Sequence, residues 1–185
     1  MRVPVLQRAI DHALACVESV SPASLSLPTP CAEWDLRMLL DHSGDAFDVL
    51  DESVLAGIIA PASRPHRDDP AAAFRDRAER FLRGSPWTGT AGRTTAVGDR
   101  RLPTEAVLLT VALEIAVHGW DIARACGDQK AIPHSLALDL LPLAPLLVHD
   151  AARPALFGAP VAVPGDAPPG DRLVAFLGRD PAAWR

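Results

Sequence analysis

The amino-acid sequence predicts an all-α protein in which antiparallel helices pack as an up-and-down or crossed four-helix bundle. Apolar residues recur at spacings of three and four in several segments, which is the period of one helical face. The sequence offers no convincing run of strand-like alternation. The 18 prolines and 12 glycines divide the chain into segments joined by long irregular connections. We therefore expect a helical bundle with short additional helices.

The apolar stripes predict six helices, over residues 5–20, 36–50, 71–83, 104–126, 133–152 and 172–177. A loop with three prolines, residues 21–33, precedes the second helix. Asp35 stands where an N-cap belongs, so this helix begins there, and its pattern could continue toward Ile59. A polar, proline-bounded connection over residues 61–70 follows it. Gly84 is a stop signal for the third helix.

The second half of the chain centres on its longest apolar helix, which Thr104 is expected to cap and Gly127 to end. Residues 85–103, before this helix, are rich in Gly, Thr and Arg, and the alternating stretch TTAVGDRRLP at residues 94–103 predicts an extended segment that lines a cleft. Pro142 and Pro145 must kink or break the fifth helix, because proline removes a helical hydrogen bond and clashes with the preceding turn.

Composition excludes several classes of protein. The length of 185 residues, 49% of them hydrophobic, suffices for one sizeable core, so we expect a single domain over residues 1–185. The formal net charge is −5, and basic residues form only short pairs such as Arg100-Arg101. A nucleic-acid partner is therefore not expected.

Neither a membrane span nor a disulfide framework is predicted. The longest apolar stretch is interrupted by Thr110 and Glu114, and the N-terminus lacks the hydrophobic centre of a signal peptide. We expect a cytoplasmic protein. No Cys-x-x-Cys pair occurs, so reduced structural thiols are expected at the three cysteines, Cys16, Cys31 and Cys126.

The apolar segment VLLTVALEIAVHGWDIARACG carries, before Arg124 near its end, four polar side chains: Thr110, Glu114, His118 and Asp121. At about 100° per residue they fall within a sector of roughly 80° on one helical face. Burying a carboxylate and an imidazole costs several kcal/mol unless each is paired or bound. This polar stripe therefore needs a compensating partner, and a metal ion is one such partner.

Glu114 and His118 stand four residues apart and can share one cation. His42, at the edge of the apolar stripe of the second helix, could supply a third ligand. Two histidines and one glutamate leave positions open for water or substrate, as in catalytic zinc sites. A helix salt bridge and a hydrogen-bonded core histidine are the alternatives. The remaining histidines have no comparable context: His12, His66, His134 and His149.

Three stretches carry a family pattern: TPCAEWDLRMLLDHSGD at residues 29–45, EIAVHGWDIARACG at 114–127 and FLGRDPAAW at 176–184. Together they resemble the mycothiol-dependent maleylpyruvate isomerase family, within the wider DinB/YfiT-like superfamily. The resemblance spans nearly the full length, with the motifs in the expected order. It implies a DinB-like four-helix bundle and a divalent metal. The metal is zinc in the isomerase, so zinc is the first choice for this chain and nickel the second. The resemblance also implies mycothiol as a cosubstrate.

The resemblance implies that His42, Glu114 and His118 are the metal ligands, which are the residues that the spacing also selects. No catalytic residue is assigned beyond them. Asp121 lies one turn below His118, where its carboxylate either orients the imidazole or accepts from Arg124. Tryptophans in the same motifs, Trp34 and Trp120, are expected to be packing residues.

The resemblance implies a metal-dependent enzyme in which a thiol, mycothiol, attacks a small electrophilic molecule, as an S-transferase or a cis–trans isomerase. The isomerase has an additional C-terminal domain that helps to build its substrate pocket. A chain that ends at Arg185 is expected to lack that domain, which argues against maleylpyruvate as the substrate. The alternative is a metal-binding bundle without turnover, in a structural or sensing role. An exposed face of the bundle would allow a homodimer.

Overall fold

The computed structural model describes residues 3–31, 34–59, 66–84, 90–148, 153 and 157–184. These residues are mostly helical, with one small three-stranded sheet. The helices are α1 (Val3–Val17), α2 (Leu36–Asp51), α3 (Pro70–Gly84), α4 (Thr104–Ala125), α5 (His134–Leu140), α6 (Ala144–Leu147) and α7 (Pro169–Phe176). The strands are β1 (Ile58–Ile59), β2 (Thr94–Val97) and β3 (Arg100–Pro103).

The second helix begins as the sequence predicts. The side chain of Asp35 accepts a hydrogen bond from the backbone N–H of Met38 at 2.8 Å, which satisfies one of the free donors of the first turn. After Asp51 the chain makes a π-helical turn, Glu52–Ala56, and Gly57 ends it with a φ of 67°. The predicted continuation stops there, because the chain then enters β1.

The sheet corrects the all-α prediction. β2 and β3 form an antiparallel hairpin through a two-residue turn at Gly98, whose φ of 60° suits such turns. β1 pairs parallel to β2, with Ile58 opposite Ala96. The predicted extended stretch is therefore two paired strands. Sequence periodicity missed them because two or four residues are too few to establish an alternating pattern.

The start of α4 also differs from the prediction. Pro103 occupies the N-cap position and Thr104 is the first helical residue. The Thr104 hydroxyl lies 3.0 Å from the hydroxyl of Thr95 on β2, and both side chains are buried. Thr104 thus joins the hairpin to the helix instead of capping it.

Pro142 has the predicted effect, since α5 ends at Leu140 and α6 begins at Ala144. The end of the predicted fifth helix, residues 149–152, lies outside the described residues. His149 lies there too. The final helix, α7, begins at Pro169, three residues earlier than its apolar stripe indicates.

Helix α4 lies in the centre of the packing. It contacts α1 and α2, while α3 contacts α2 and α1. The largest fully buried side chains include Trp120, Phe47, Phe74, Leu6, Ile10, Leu36, Leu39, Leu40, Leu50, Ile115, Ile122 and Leu136. A Cβ added to Gly119 would lie 3.0 Å from the Cα of Ala13. A larger residue there would push α1 away from α4, so this glycine permits their close approach.

By length and composition alone, α4 could cross a membrane. However, 83% of its most apolar window is buried inside the protein, which is also typical of the core helix of a folded domain. Among the described residues, no other helix passes the same test.

A buried histidine on α1 gives a testable pH dependence. His12 is only 6% exposed and lies beside Cys16, and burial lowers its pKa from 6.5 to about 4. Between these values the unfolded chain binds a proton that the folded protein does not, so stability falls as the pH drops from 6.5 to 4. The shift corresponds to about 3 kcal/mol at most. His12→Gln should flatten this part of the stability curve in urea unfolding.

The matched control is His134→Gln, at an exposed position at the start of α5. Its curve should keep the slope of the parent between pH 6.5 and 4. A His12→Gln protein that loses stability with acid as steeply as the parent would show that His12 does not carry this dependence.

Candidate metal centre

The polar stripe of α4 descends from the surface into the core. Thr110 is exposed, and the side chain of Glu114 is 35% exposed. One turn further His118 is 8% exposed, and Asp121 is fully buried. The sequence predicts that these four residues share one helical face, and the structure shows that burial along this face increases from Thr110 to Asp121.

Helix α2 brings His42 to this stripe. Its neighbours Leu39 and Leu40 are fully buried and fix α2 against the core, so that His42 faces α4. His42 Nε2 lies 2.6 Å from Glu114 Oε1. One ligand atom from each of His42, Glu114 and His118 can be chosen so that all lie within 4.8 Å of one another. The structure therefore brings together the three residues that the spacing selected.

Trp34 forms one wall of the site. Its ring centroid lies 4.7 Å from that of His42 and 6.2 Å from that of His118. The two imidazoles meet edge to face, with centroids 5.2 Å apart. Trp34 is the residue before the N-cap of α2, so the same turn that starts the helix also places the indole against both histidines. Trp34 is thus a packing residue, as expected, and the residues it packs against are two of the candidate ligands.

Asp121 contacts His118 from below. Its Oδ2 lies 3.0 Å from His118 Nδ1 and 3.0 Å from Nη2 of Arg179. Arg124, the alternative partner in the sequence, lies over the Trp120 ring at 5.0 Å and donates to the backbone oxygen of Asp128. Sequence reasoning missed Arg179, although it stands in the third family stretch. The need of a buried carboxylate for a cation was the signal that could have indicated it.

Both carboxyl groups of the site are held in the charged form. Burial opposes ionisation of Glu114, but the hydrogen bond from His42 and the proximity of His118 outweigh it, so its pKa is lowered. Burial likewise opposes ionisation of Asp121, and the guanidinium of Arg179 with the hydrogen bond from His118 lowers its pKa. An anionic carboxylate therefore faces two imidazoles.

This donor set fits a divalent cation. Two imidazole nitrogens and one carboxylate oxygen are the ligands of many catalytic zinc sites, which keep a position open for water or substrate. The side chains of His42 and Glu114 are 39% and 35% exposed. Two of the three side chains therefore reach the surface, unlike in a closed structural site.

The other described histidines and the paired arginines lie elsewhere. His66 bonds Asp41 at 2.8 Å with a largely exposed ring, His12 is buried on α1 and His134 is exposed on α5. The arginines of the hairpin, Arg100 and Arg101, are also exposed. These residues are not part of the three-residue cluster.

Fold and site together define a mostly helical protein with a candidate two-histidine, one-carboxylate metal centre between two core helices. The sequence model of the mycothiol maleylpyruvate isomerase N-terminal domain matches residues 6–123, and the chain belongs to this family. The match covers the three candidate ligands and Asp121, and it ends before Arg179.

Two curated relatives come from Mycobacterium tuberculosis, one from strain CDC 1551 / Oshkosh and one from strain ATCC 25618 / H37Rv. Both are named as uncharacterized proteins. Each is 29% identical over 180 residues, which covers 94% of this chain and 94% of the relative. No solved structure matches the chain significantly.

Proposed function

We propose that this protein is a divalent-metal-dependent enzyme that joins the sulfur of mycothiol to a small electrophile, as an S-transferase or a cis–trans isomerase. The observation that carries the proposal is the convergence of His42, Glu114 and His118 in a member of the mycothiol maleylpyruvate isomerase family. We further propose that the chain is one cytoplasmic, DinB-like domain. The contacts among α1, α2, α3 and α4 support a four-helix bundle.

In this proposal His42, Glu114 and His118 would hold the cation, with zinc as the first choice and nickel as the second. A bound cation with open positions lowers the pKa of a thiol, so that the sulfur is a nucleophile at neutral pH. Asp121 accepts the Nδ1 proton of His118, which leaves the lone pair of Nε2 available. With a cation bound, the proton shared by His42 Nε2 and Glu114 Oε1 would leave to solvent, so that both atoms could serve as metal ligands.

The reaction of the thiol conserves atoms and electrons without a further reactant. The thiol proton leaves to solvent, and a sulfur lone pair forms a C–S bond to the electrophilic carbon. In S-transfer a leaving group departs with the electron pair of its bond. In isomerisation the π pair of a conjugated C=C moves toward a carbonyl oxygen, the new single bond rotates, and the pair returns as the thiolate is expelled.

The cysteines of the chain support an external thiol. Burial raises the pKa of Cys31 and of Cys126, and it raises the pKa of Cys16 to about 12. All three therefore stay protonated at neutral pH. Because the thiolate is the nucleophile, none of them is suited to attack an electrophile.

Turnover tests the proposal directly. Zinc-loaded protein, mycothiol and either chlorodinitrobenzene or a small cis-enone should give S-transfer or isomerisation above the rate without protein. Chelator treatment and His118→Ala should abolish the rate, whereas Cys31→Ala should retain it. A rate that survives chelation would contradict metal chemistry. Zinc-loaded protein inactive with both probes would favour the non-catalytic metal-binding role instead.

A further inference from the structure

Arg179 is a buried cation in the stretch FLGRDPAAW, residues 176–184. This stretch lies outside residues 6–123, which the family model matches. Arg179 follows α7, and it is only 7% exposed. Its Nη2 and Nε lie 3.0 and 3.4 Å from the two carboxylate oxygens of Asp121, and Nη1 donates to the backbone oxygen of Leu177 at 2.9 Å. The guanidinium fork therefore holds both oxygens of one carboxylate.

A glycine turn directs Arg179 inward. Gly178 has a φ of 86°, and the backbone N–H of Arg179 donates to the oxygen of Val174 at 3.0 Å. A Cβ on Gly178 would lie 2.6 Å from the Cα of Gly158, so no larger residue fits without displacing backbone. Chain conformation, and not only side-chain packing, therefore sets the place of Arg179.

The contacts of Asp121 link Arg179 to His118. The same oxygen, Oδ2, lies within hydrogen-bond distance of His118 Nδ1 and of Arg179 Nη2. Because Arg179 bonds both of its oxygens, the Asp121 carboxylate cannot rotate away from the His118 imidazole. Arg179 thus acts on the orientation of His118 without touching it.

We propose that Arg179 is a positioning residue of the metal centre: through Asp121 it fixes the His118 imidazole with its proton on Nδ1 and leaves Nε2 as the donor. This inference rests on the proposed function in taking His118 as a ligand. It makes the C-terminal segment, which lies outside residues 6–123, part of the site.

The test combines the tautomer of His118 in metal-free protein with zinc affinity. Nitrogen-15 NMR at one neutral pH should show the Nδ1–H tautomer in the parent and a mixture in Arg179→Met. Zinc affinity, measured by competition with a chromophoric chelator, should fall about 10- to 100-fold, as for other lost outer hydrogen bonds. Arg179→Lys should restore part of both.

A second variant tests the same relay from its other end. In Asp121→Asn, Arg179 should take the amide oxygen, so the amide N–H faces Nδ1 and the His118 proton moves to Nε2. This variant and Arg179→Lys decide the matter if Arg179→Met does not fold. The matched control is Arg153→Met, because Arg153 donates to the oxygens of Gly158 and Phe176 and so also anchors the C-terminal segment.

The outcomes separate this inference from the proposed function. A parent that binds no zinc overturns the proposed function, while the tautomer still decides the role of Arg179. An unchanged tautomer in the Arg179 and Asp121 variants overturns the positioning role. Equal losses of zinc affinity in Arg153→Met and Arg179→Met also overturn the positioning role, because the packing of the C-terminal segment would then explain both losses.

Discussion

Glu114→Gln should weaken zinc binding by more than about a hundredfold, since losing even an outer hydrogen-bond partner of a metal site costs about 10- to 100-fold. Glutamine has nearly the shape of glutamate and can still accept from His42, so packing is preserved. What disappears is the negative charge that the site presents to a cation. Titration with zinc against a chromophoric chelator measures the change.

Glu105→Gln is the matched control for this prediction. Glu105 lies in the first turn of the same helix, α4, and is also partly buried. Its substitution removes one negative charge without altering the three-residue cluster. Equal zinc affinities of the Glu105→Gln and Glu114→Gln proteins would refute a site centred on Glu114.

Arg179→Met should destabilise the fold by about 3–5 kcal/mol, because it leaves the buried Asp121 carboxylate without its cation. Asp121→Asn/Arg179→Met should be more stable than Arg179→Met alone, since the second change removes the uncompensated charge. This sign distinguishes an ion pair from simple packing, for which the two losses would add. Urea unfolding of the parent, both single variants and the double variant gives the coupling free energy.

An exposed ion pair provides the comparison. Arg83 and Glu79 lie 3.3 Å apart on α3, with side chains 69% and 57% exposed. Arg83→Met should change the unfolding free energy by less than about 1 kcal/mol, as is usual for surface pairs. If Arg179→Met costs no more than Arg83→Met, the buried pair does not stabilise the fold as described.

The helical part of the fold follows from local patterns. Apolar periodicity located the core helices, and Asp35 marked the start of α2, because capping is a local interaction between residues three apart. The sheet does not follow in this way. β1 has only two residues, and it pairs with β2 by placing Ile58 opposite Ala96. These two residues are far apart in the sequence.

The candidate site likewise combines residues that local patterns predict with residues that depend on contacts between distant parts of the chain. Glu114 and His118 share a helix, so their spacing alone places them on one face. His42 needed an assumption about helix packing, which the contact between α2 and α4 supports. Arg179 stands 58 residues after Asp121, and no local period connects them. Only the requirement that a buried carboxylate be paired indicates such a residue, and it does not say which arginine.

The most direct test of the metal centre is elemental analysis of the purified, untagged protein, scored as bound metal per chain. The parent should hold near-stoichiometric divalent metal, and each of the His42→Ala, Glu114→Ala and His118→Ala proteins should lose it. A parent that holds no metal, and that takes up neither zinc nor nickel, would contradict this account. The three residues would then be a polar cluster at the edge of the core, without a metal-binding role.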